Sequence, residues 1–404
     1  MFNPRPYLLK NKIQHYTWGM KGEKAFIPRL LGFDPKADVP YAELWMGAHP
    51  KAPSTINVNG VDEPLDKMIE KFPHEILGRE AAEKYKGKFP FLFKVLSAGE
   101  ALSIQAHPNK QQAEMLHAKD PQHYPDDNHK PEIAIALDSL KALVGFRPFA
   151  AIQQTLKQVP EISAFIGGDI VKTFLRYEKN EEGQKQALLR KLFTMLMRRS
   201  MTHQLDLEQA CQKLASRLRS TKKKLLEQDV FFLELYKKYG GDVGLFSIYL
   251  LNLITLSRGE GVFLAAGVPH AYLSGNIIEC MANSDNVVRA GLTPKFKDVE
   301  TLVNILTYEA GPARVLVPNS ENFVYTTPAQ EFRVLRFMPQ EGSAIYLLKD
   351  GKVRIMLLIE GKGTMKWGGE QLDFVGGQSV LIPACLEEFK IEWQTPATLF
   401  IAES

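Results

Sequence analysis

Gln105, His107, Glu132 and His270 are the residues whose types and surroundings could hold a metal ion. The first two lie in Ala101-Leu102-Ser103-Ile104-Gln105-Ala106-His107-Pro108. Read as a strand, this octet alternates between faces. Leu102, Ile104 and Ala106 fall on one side, and Ser103, Gln105 and His107 on the other. Three polar groups in a row within an apolar neighbourhood read as the lining of a site. Glu132 stands at the mouth of the apolar run Ile133-Ala134-Ile135-Ala136-Leu137, and His270 follows a second apolar stretch in Gly267-Val268-Pro269-His270-Ala271-Tyr272. Two imidazoles and a carboxylate suit zinc, or non-haem iron as a facial triad. Gln105 would be a neutral fourth ligand, unusual for either metal. Spacing alone serves equally well a plainer reading, in which His107 and Glu132 are polar groups at strand ends.

Longer motifs separate these readings. Gln105-Ala106-His107-Pro108-Asn109-Lys110, His129-Lys130-Pro131-Glu132 and the 267–272 segment resemble type I mannose-6-phosphate isomerase (phosphomannose isomerase), a zinc enzyme family of the cupin superfamily. So do Gln14-His15-Tyr16-Thr17-Trp18-Gly19, Glu43 to Pro50, and the run from Glu279 through Asp285, Arg289 and Lys295. The matches keep the family's order from about Lys12 to Lys297, and fade across the helical middle and the last eighty or so residues.

The resemblance implies one zinc per chain on Gln105, His107, Glu132 and His270. It also implies an aldose–ketose isomerisation, mannose 6-phosphate to fructose 6-phosphate, through a cis-enediol. That reaction needs ring opening, a proton moved between C1 and C2, stabilisation of charge on O1 or O2, and a grip on the phosphate. A Lewis-acidic zinc serves the oxygens, and acid–base side chains must move the proton. Lys130, Glu279, Asp285 and His49 are candidates. Lys130, two residues before Glu132, shares its strand face. Arg289 is marked as active by the resemblance; a guanidinium is a poor base, so it is read as holding enediolate or phosphate oxygens. Lys295 is a second phosphate candidate, with a surface lysine as the alternative. Ser103 and Asp285 are placed with the substrate. Tyr272 packs on the sugar or fills the core, and Trp18 reads as core. Lys94 alternates with Phe91, Phe93 and Val95, so it snorkels or points into a polar cavity. The resemblance favours the cavity.

Other classes remain in play. An iron oxygenase could use His107, Glu132 and His270, although a fourth ligand would crowd the positions oxygen and substrate need. A non-catalytic sugar-binding cupin is opposed by intact Lys130, Arg289 and Lys295. No Walker loop or dinucleotide fingerprint occurs, so no nucleotide cofactor is indicated.

The elements that must position these groups are mainly β with a helical insertion. Short strands fill residues 1 to about 60, and 64–86 looks helical. Helical spacing then runs from about 150 to 256, for example Leu207, Cys211, Leu214 and Leu218. Period-two patterning returns at Gly261, with Ser274-Gly275-Asn276 read as a hairpin turn after His270. The division expected is a discontinuous cupin-type catalytic domain (1–149 and 257–320), an all-α insertion (150–256) and a C-terminal cupin-like jelly-roll barrel (321–404). The last contains no histidine and is expected to bind no metal.

Of the 404 residues 45% are hydrophobic and 24% charged, as in ordinary globular chains. A net charge of +4 argues against a dedicated nucleic-acid binder. The three cysteines are far apart, which fits a reducing cytoplasm. The start has no signal-peptide pattern, and no apolar run is long enough to span a bilayer. The expected partner is a small sugar phosphate. The sequence does not set the oligomeric state, and a monomer is taken as the default.

Overall fold

A computed structural model describes residues 2–179, 181–348 and 350–404. The chain is sheet-rich with a block of helices inserted between strands, as expected. The site is built by two layers of strands that share one long member, His270–Ala282. Its second half pairs with Phe91–Ala98 on one side and Glu132–Ala136 on the other. Glu43–Met46 and Gly261–Leu264 extend this layer. Its first half pairs with Leu140–Phe146 and, at His270, with Ile104–Ala106. Leu251–Leu256 and Val288–Gly291 complete the second layer.

Alternation assigns the faces. Phe91, Phe93, Val95, Ile133, Ile135, Ile278 and Cys280 point outward into a core shared with C-terminal residues such as Ile355, Leu381 and Phe400. Their neighbours Lys94, Glu132 and Glu279 therefore point inward, between the layers. The inner apolar residues include Ala98, Ala134, Ala136 and Ala142. Such small side chains leave room for long polar ones.

The 270–282 strand corrects the sequence reading. Ser274-Gly275-Asn276 is no hairpin, because the strand runs straight through it. Gly275 has φ +122, and a Cβ there would lie 2.6 Å from the Ser139 carbonyl oxygen. The glycine serves a close backbone approach where the strand passes from one layer to the other, with Asn276 N–H bonded to Asp138. A register shift between Tyr272 and Ser274 accompanies it. A bulge of this kind re-aims side chains.

Helices follow from Phe149–Gln158 to Gly244–Ser247. They pack Phe174, Leu192, Phe193, Leu196 and Leu214 against Leu143, Phe146, Ile104 and Ala106 of the second layer. The reading of helix to 256 overshoots: Leu251–Leu256 is a strand, since a short apolar run does not by itself choose between the two. Within 64–86 there are three short helices, interrupted near Pro73 and Gly78. Phe26–Leu31 is a helix within the segment read as strands.

The C-terminal strands form a two-sheet sandwich around Met356, Leu358, Phe374, Ile391, Trp393 and Leu399. One of its sheets also takes in Tyr7–Lys10, which pairs with Ser379–Ile382, and through it Thr55–Val58 and Val61–Pro64. By hydrogen bonding these N-terminal strands join a C-terminal sheet, while Tyr7, Leu9 and Ile56 pack in one core with Phe91, Phe93 and Val95.

Candidate metal centre and sugar-phosphate site

His107, Glu132 and His270 converge between the layers, fully buried, with one ligand-type atom from each lying within 4.8 Å of the others. His107 Nδ1 donates to the Asn286 carbonyl at 2.7 Å, and His270 Nδ1 to the Val268 carbonyl at 2.9 Å. A carbonyl only accepts, so each imidazole carries its proton on Nδ1 and turns a bare Nε2 inward. These atoms stand 3.5 and 3.4 Å from the two Glu132 oxygens. His107 Nε2 and Glu132 Oε2 have no hydrogen-bond partner. Buried orphans are costly, and two of metal-ligand type beside the inward Nε2 of His270 fit a cation. Gln105 lies alongside, its amide nitrogen 3.5 Å from His270 Nε2. Rotating that amide would present its oxygen.

The electrostatics agree. Burial alone would raise the Glu132 pKa, but Lys130 and His107 outweigh it and hold the carboxyl well below its usual range. Burial lowers the His107 pKa against the pull of Glu132. An ionised carboxylate and neutral imidazoles are the forms that bind metal.

A second cluster adjoins the first. Lys94 is buried, with Nζ 2.8 Å from Glu279 Oε2 and 3.8 Å from Glu43 Oε2. Burial works to lower the Lys94 pKa, and the two carboxylates reverse that to a net rise. Glu43 is raised, by burial first, with Lys94 opposing. One cation thus serves two carboxylates. Trp45 donates its indole N–H to Glu43, and its ring lies 5.6 Å from Lys94 Nζ. Tyr272 is buried with its hydroxyl unpartnered, and burial together with Glu279 and Glu132 pushes its pKa up. Lys130 Nζ is 3.1 Å from Glu132 Oε1. Asp285 meets Lys51 at 2.9 Å and His49 at 3.6 Å at the rim.

The profile of the phosphomannose isomerase type I catalytic domain matches residues 7–149, and that of its helical insertion domain matches 165–251. Mannose-6-phosphate isomerase of Rattus norvegicus is 41% identical over 381 residues, covering 90% of this chain and 89% of that protein. The chain belongs to the type I phosphomannose isomerase family. The crystal structure of a phosphomannose isomerase variant from Salmonella typhimurium superposes with TM-score 0.86 at 32% identity, covering 98% of both chains. A zinc-bound mannose 6-phosphate isomerase superposes with TM-score 0.85 at 32% identity and the same coverage. The cupin-type fold expected from the sequence is the fold of this family.

Among the expected phosphomannose isomerase site residues, Gln105, His107, Glu132, His270, Lys130, Lys94, Glu279 and Tyr272 are brought together. Arg289 pairs in register with Gln105, which in turn pairs with His270, so the three form a row across adjacent strands. It is half-buried and forms no hydrogen bond or ion pair among the described residues; burial lowers its pKa. Asp285 stands at the rim. Ser103 is half-buried, and Lys295 is exposed on the loop beyond Val288–Gly291. The sequence reading missed Glu43, Trp45 and Lys51. A glutamate within a buried strand carries the same signal that Lys94 does. Trp18 is half-buried and stacks on Tyr16.

Proposed function

We propose that this chain is a zinc-dependent isomerase interconverting D-mannose 6-phosphate and D-fructose 6-phosphate through a cis-enediol, working in the cytoplasm. The observation that carries the reading is the convergence of His107 Nε2, His270 Nε2 and Glu132, with Gln105 beside them, next to the Lys94–Glu279 pair. Those four would hold the zinc, which when bound supplies Lewis acidity for the sugar oxygens. One Glu279 oxygen accepts from Lys94, leaving the other to take or return a proton at C1 or C2. Lys130 is the competing candidate for that task. Arg289, cationic and unpaired, holds the oxygen that gains charge. Ser103 and Lys295 take the phosphate, while Tyr272 and Asp285 orient the sugar. The strands between the layers exclude bulk water, which strengthens each of these contacts. The segment from 321 on is proposed to support the catalytic layers without binding metal.

The test is a coupled assay that supplies mannose 6-phosphate and detects fructose 6-phosphate. Turnover that falls sharply in Glu279→Gln and less in Lys130→Met assigns the base to Glu279. Absence of turnover by zinc-loaded wild type would sink the reading.

A further inference from the structure

Asp242 belongs to the helical segment, in the turn between the helices Glu227–Tyr239 and Gly244–Ser247. Its side chain is about 10% exposed, and its contacts run outward to the catalytic layer. Oδ1 accepts from Gly244 N–H and from Leu292 N–H, both at 2.7 Å. Oδ2 accepts from Lys297 Nζ at 3.2 Å. Leu292 sits at φ +55, a conformation unfavourable for its side chain and held here by that bond. The two backbones touch. A Cβ on Gly291 would lie 2.5 Å from Gly244 N and 2.7 Å from Asp242 Oδ1, and one on Gly244 would lie 2.6 Å from Leu292 N.

The contact spans Gly291 and Leu292, two and three residues after Arg289, where the register with Ile104–Ala106 shifts. Beyond it the chain carries Lys295 and then Phe296, which stacks on His123 with centroids 4.2 Å apart. The 292–297 connection is thus pinned at Leu292 and Lys297 by one carboxylate and at Phe296 by one ring. Lys295 projects from between the pins.

We infer that Asp242 is a positioning residue: the helical segment acts through it to set the placement of Arg289 and Lys295 against an anionic sugar phosphate. This rests on the reading that those two cations take substrate oxygens. It gives the helices a part in turnover although the metal cluster comes from strands.

The experiment compares Asp242→Ala, Asp242→Asn and Lys297→Ala, with Arg289→Ala and Lys295→Ala as references, all on the zinc-loaded full chain. The readouts are kcat, KM for mannose 6-phosphate, competitive inhibition by inorganic phosphate, and Tm. In Asp242→Ala, KM and the phosphate inhibition constant rise together and kcat falls, each by about tenfold, since misplacing a contact by about 1 Å can cost up to roughly 10²-fold. Asp242→Asn keeps the two N–H bonds through Oδ1 and loses the ion pair. It recovers kcat and retains part of the KM rise, and Lys297→Ala matches it. A purely structural role would lower Tm and leave kcat, KM and phosphate inhibition unchanged. Folded Asp242→Ala within twofold of wild type on all three overturns the proposal. If Asp242→Ala does not fold, unchanged KM and phosphate inhibition in both Asp242→Asn and Lys297→Ala overturn it. If Arg289→Ala and Lys295→Ala are themselves silent, the underlying reading of those cations fails, and the positioning role falls with it.

Discussion

Arg289→Ala separates a group that serves the reaction from one that serves the fold. The guanidinium is half-buried and has no acceptor among the described residues, and burial lowers its pKa. No described residue pairs with it, and it shares a row with the proposed ligands Gln105 and His270. The partner proposed for it is an arriving anion. Removing it therefore breaks no ion pair and relieves a desolvated charge, so stability should stay within about 0.5 kcal/mol. Turnover should suffer far more. An electrostatic donor aimed at developing charge contributes roughly 10²–10³ in kcat, or about 2.7–4 kcal/mol of barrier. Arg289→Lys keeps the charge without the two-pronged fork and should recover only part of this. The assay is steady-state kinetics with zinc content and thermal melting on the same samples. If KM rises while kcat stays near wild type, Arg289 holds the phosphate equally in ground and transition states. Near-normal kcat and KM would refute the placement, and a stability loss beyond about 2 kcal/mol would refute the argument that the guanidinium has no structural partner.

Two further perturbations test the frame around the site. Glu403 is buried and accepts from Arg333 and Arg354, each Nε at 2.8 Å, with Lys352 Nζ at 3.3 Å. Glu403→Gln should cost about 3 kcal/mol, the low end for breaking a buried pair, because Asp350 still faces Arg354. Burial would raise the Glu403 pKa, but Arg354, Arg333 and Lys352 depress it overall. Its stabilisation is therefore complete above the ordinary carboxylate value of about 4.3 and lost as pH falls through the lower folded value. Melting curves of wild type and variant should converge on acidification, and a gap that widens would contradict this sign. Gly275→Ala places a methyl against the Ser139 carbonyl at a φ that alanine avoids. It should destabilise by more than about 1 kcal/mol and impair turnover, as checked by denaturant unfolding and the coupled assay; a silent variant would show that the strand crossing tolerates a side chain.

The convergence of His107, Glu132 and His270 was legible because its signals are local. Polar alternation at 103–107, a carboxylate opening the 132–136 strand and a histidine after an apolar run each sit within a few residues. The phenylalanine neighbours of Lys94 put it on the opposite strand face, and the family resemblance chose the cavity over the surface. The route of Glu279 to the same cavity was not legible. His270 and Glu279 are an odd number of residues apart and would face opposite ways in a regular strand. They share a cavity because of the bulge and crossing near Gly275, and a glycine flanked by serine and asparagine looks like a turn. The pairing of Tyr7–Lys10 with Ser379–Ile382 joins opposite ends of the chain, and no local pattern encodes it. Leu251–Leu256 fits either period, because six residues of mixed polarity do not distinguish strand from helix. Asp242 carried no motif at all, since its meaning comes from touching Leu292 and Lys297 across the fold.

The proposed seat of the isomerase activity is one zinc held by Gln105, His107, Glu132 and His270. Metal content and turnover are to be measured together in wild type, His107→Ala and Glu132→Gln, before and after chelation. The expected result is one zinc per wild-type chain, with turnover that vanishes on chelation and returns with zinc. Both variants should lose metal and activity in step while remaining folded. Full turnover in metal-free protein, iron in place of zinc in active samples, or a His107→Ala variant that keeps its zinc would contradict this assignment.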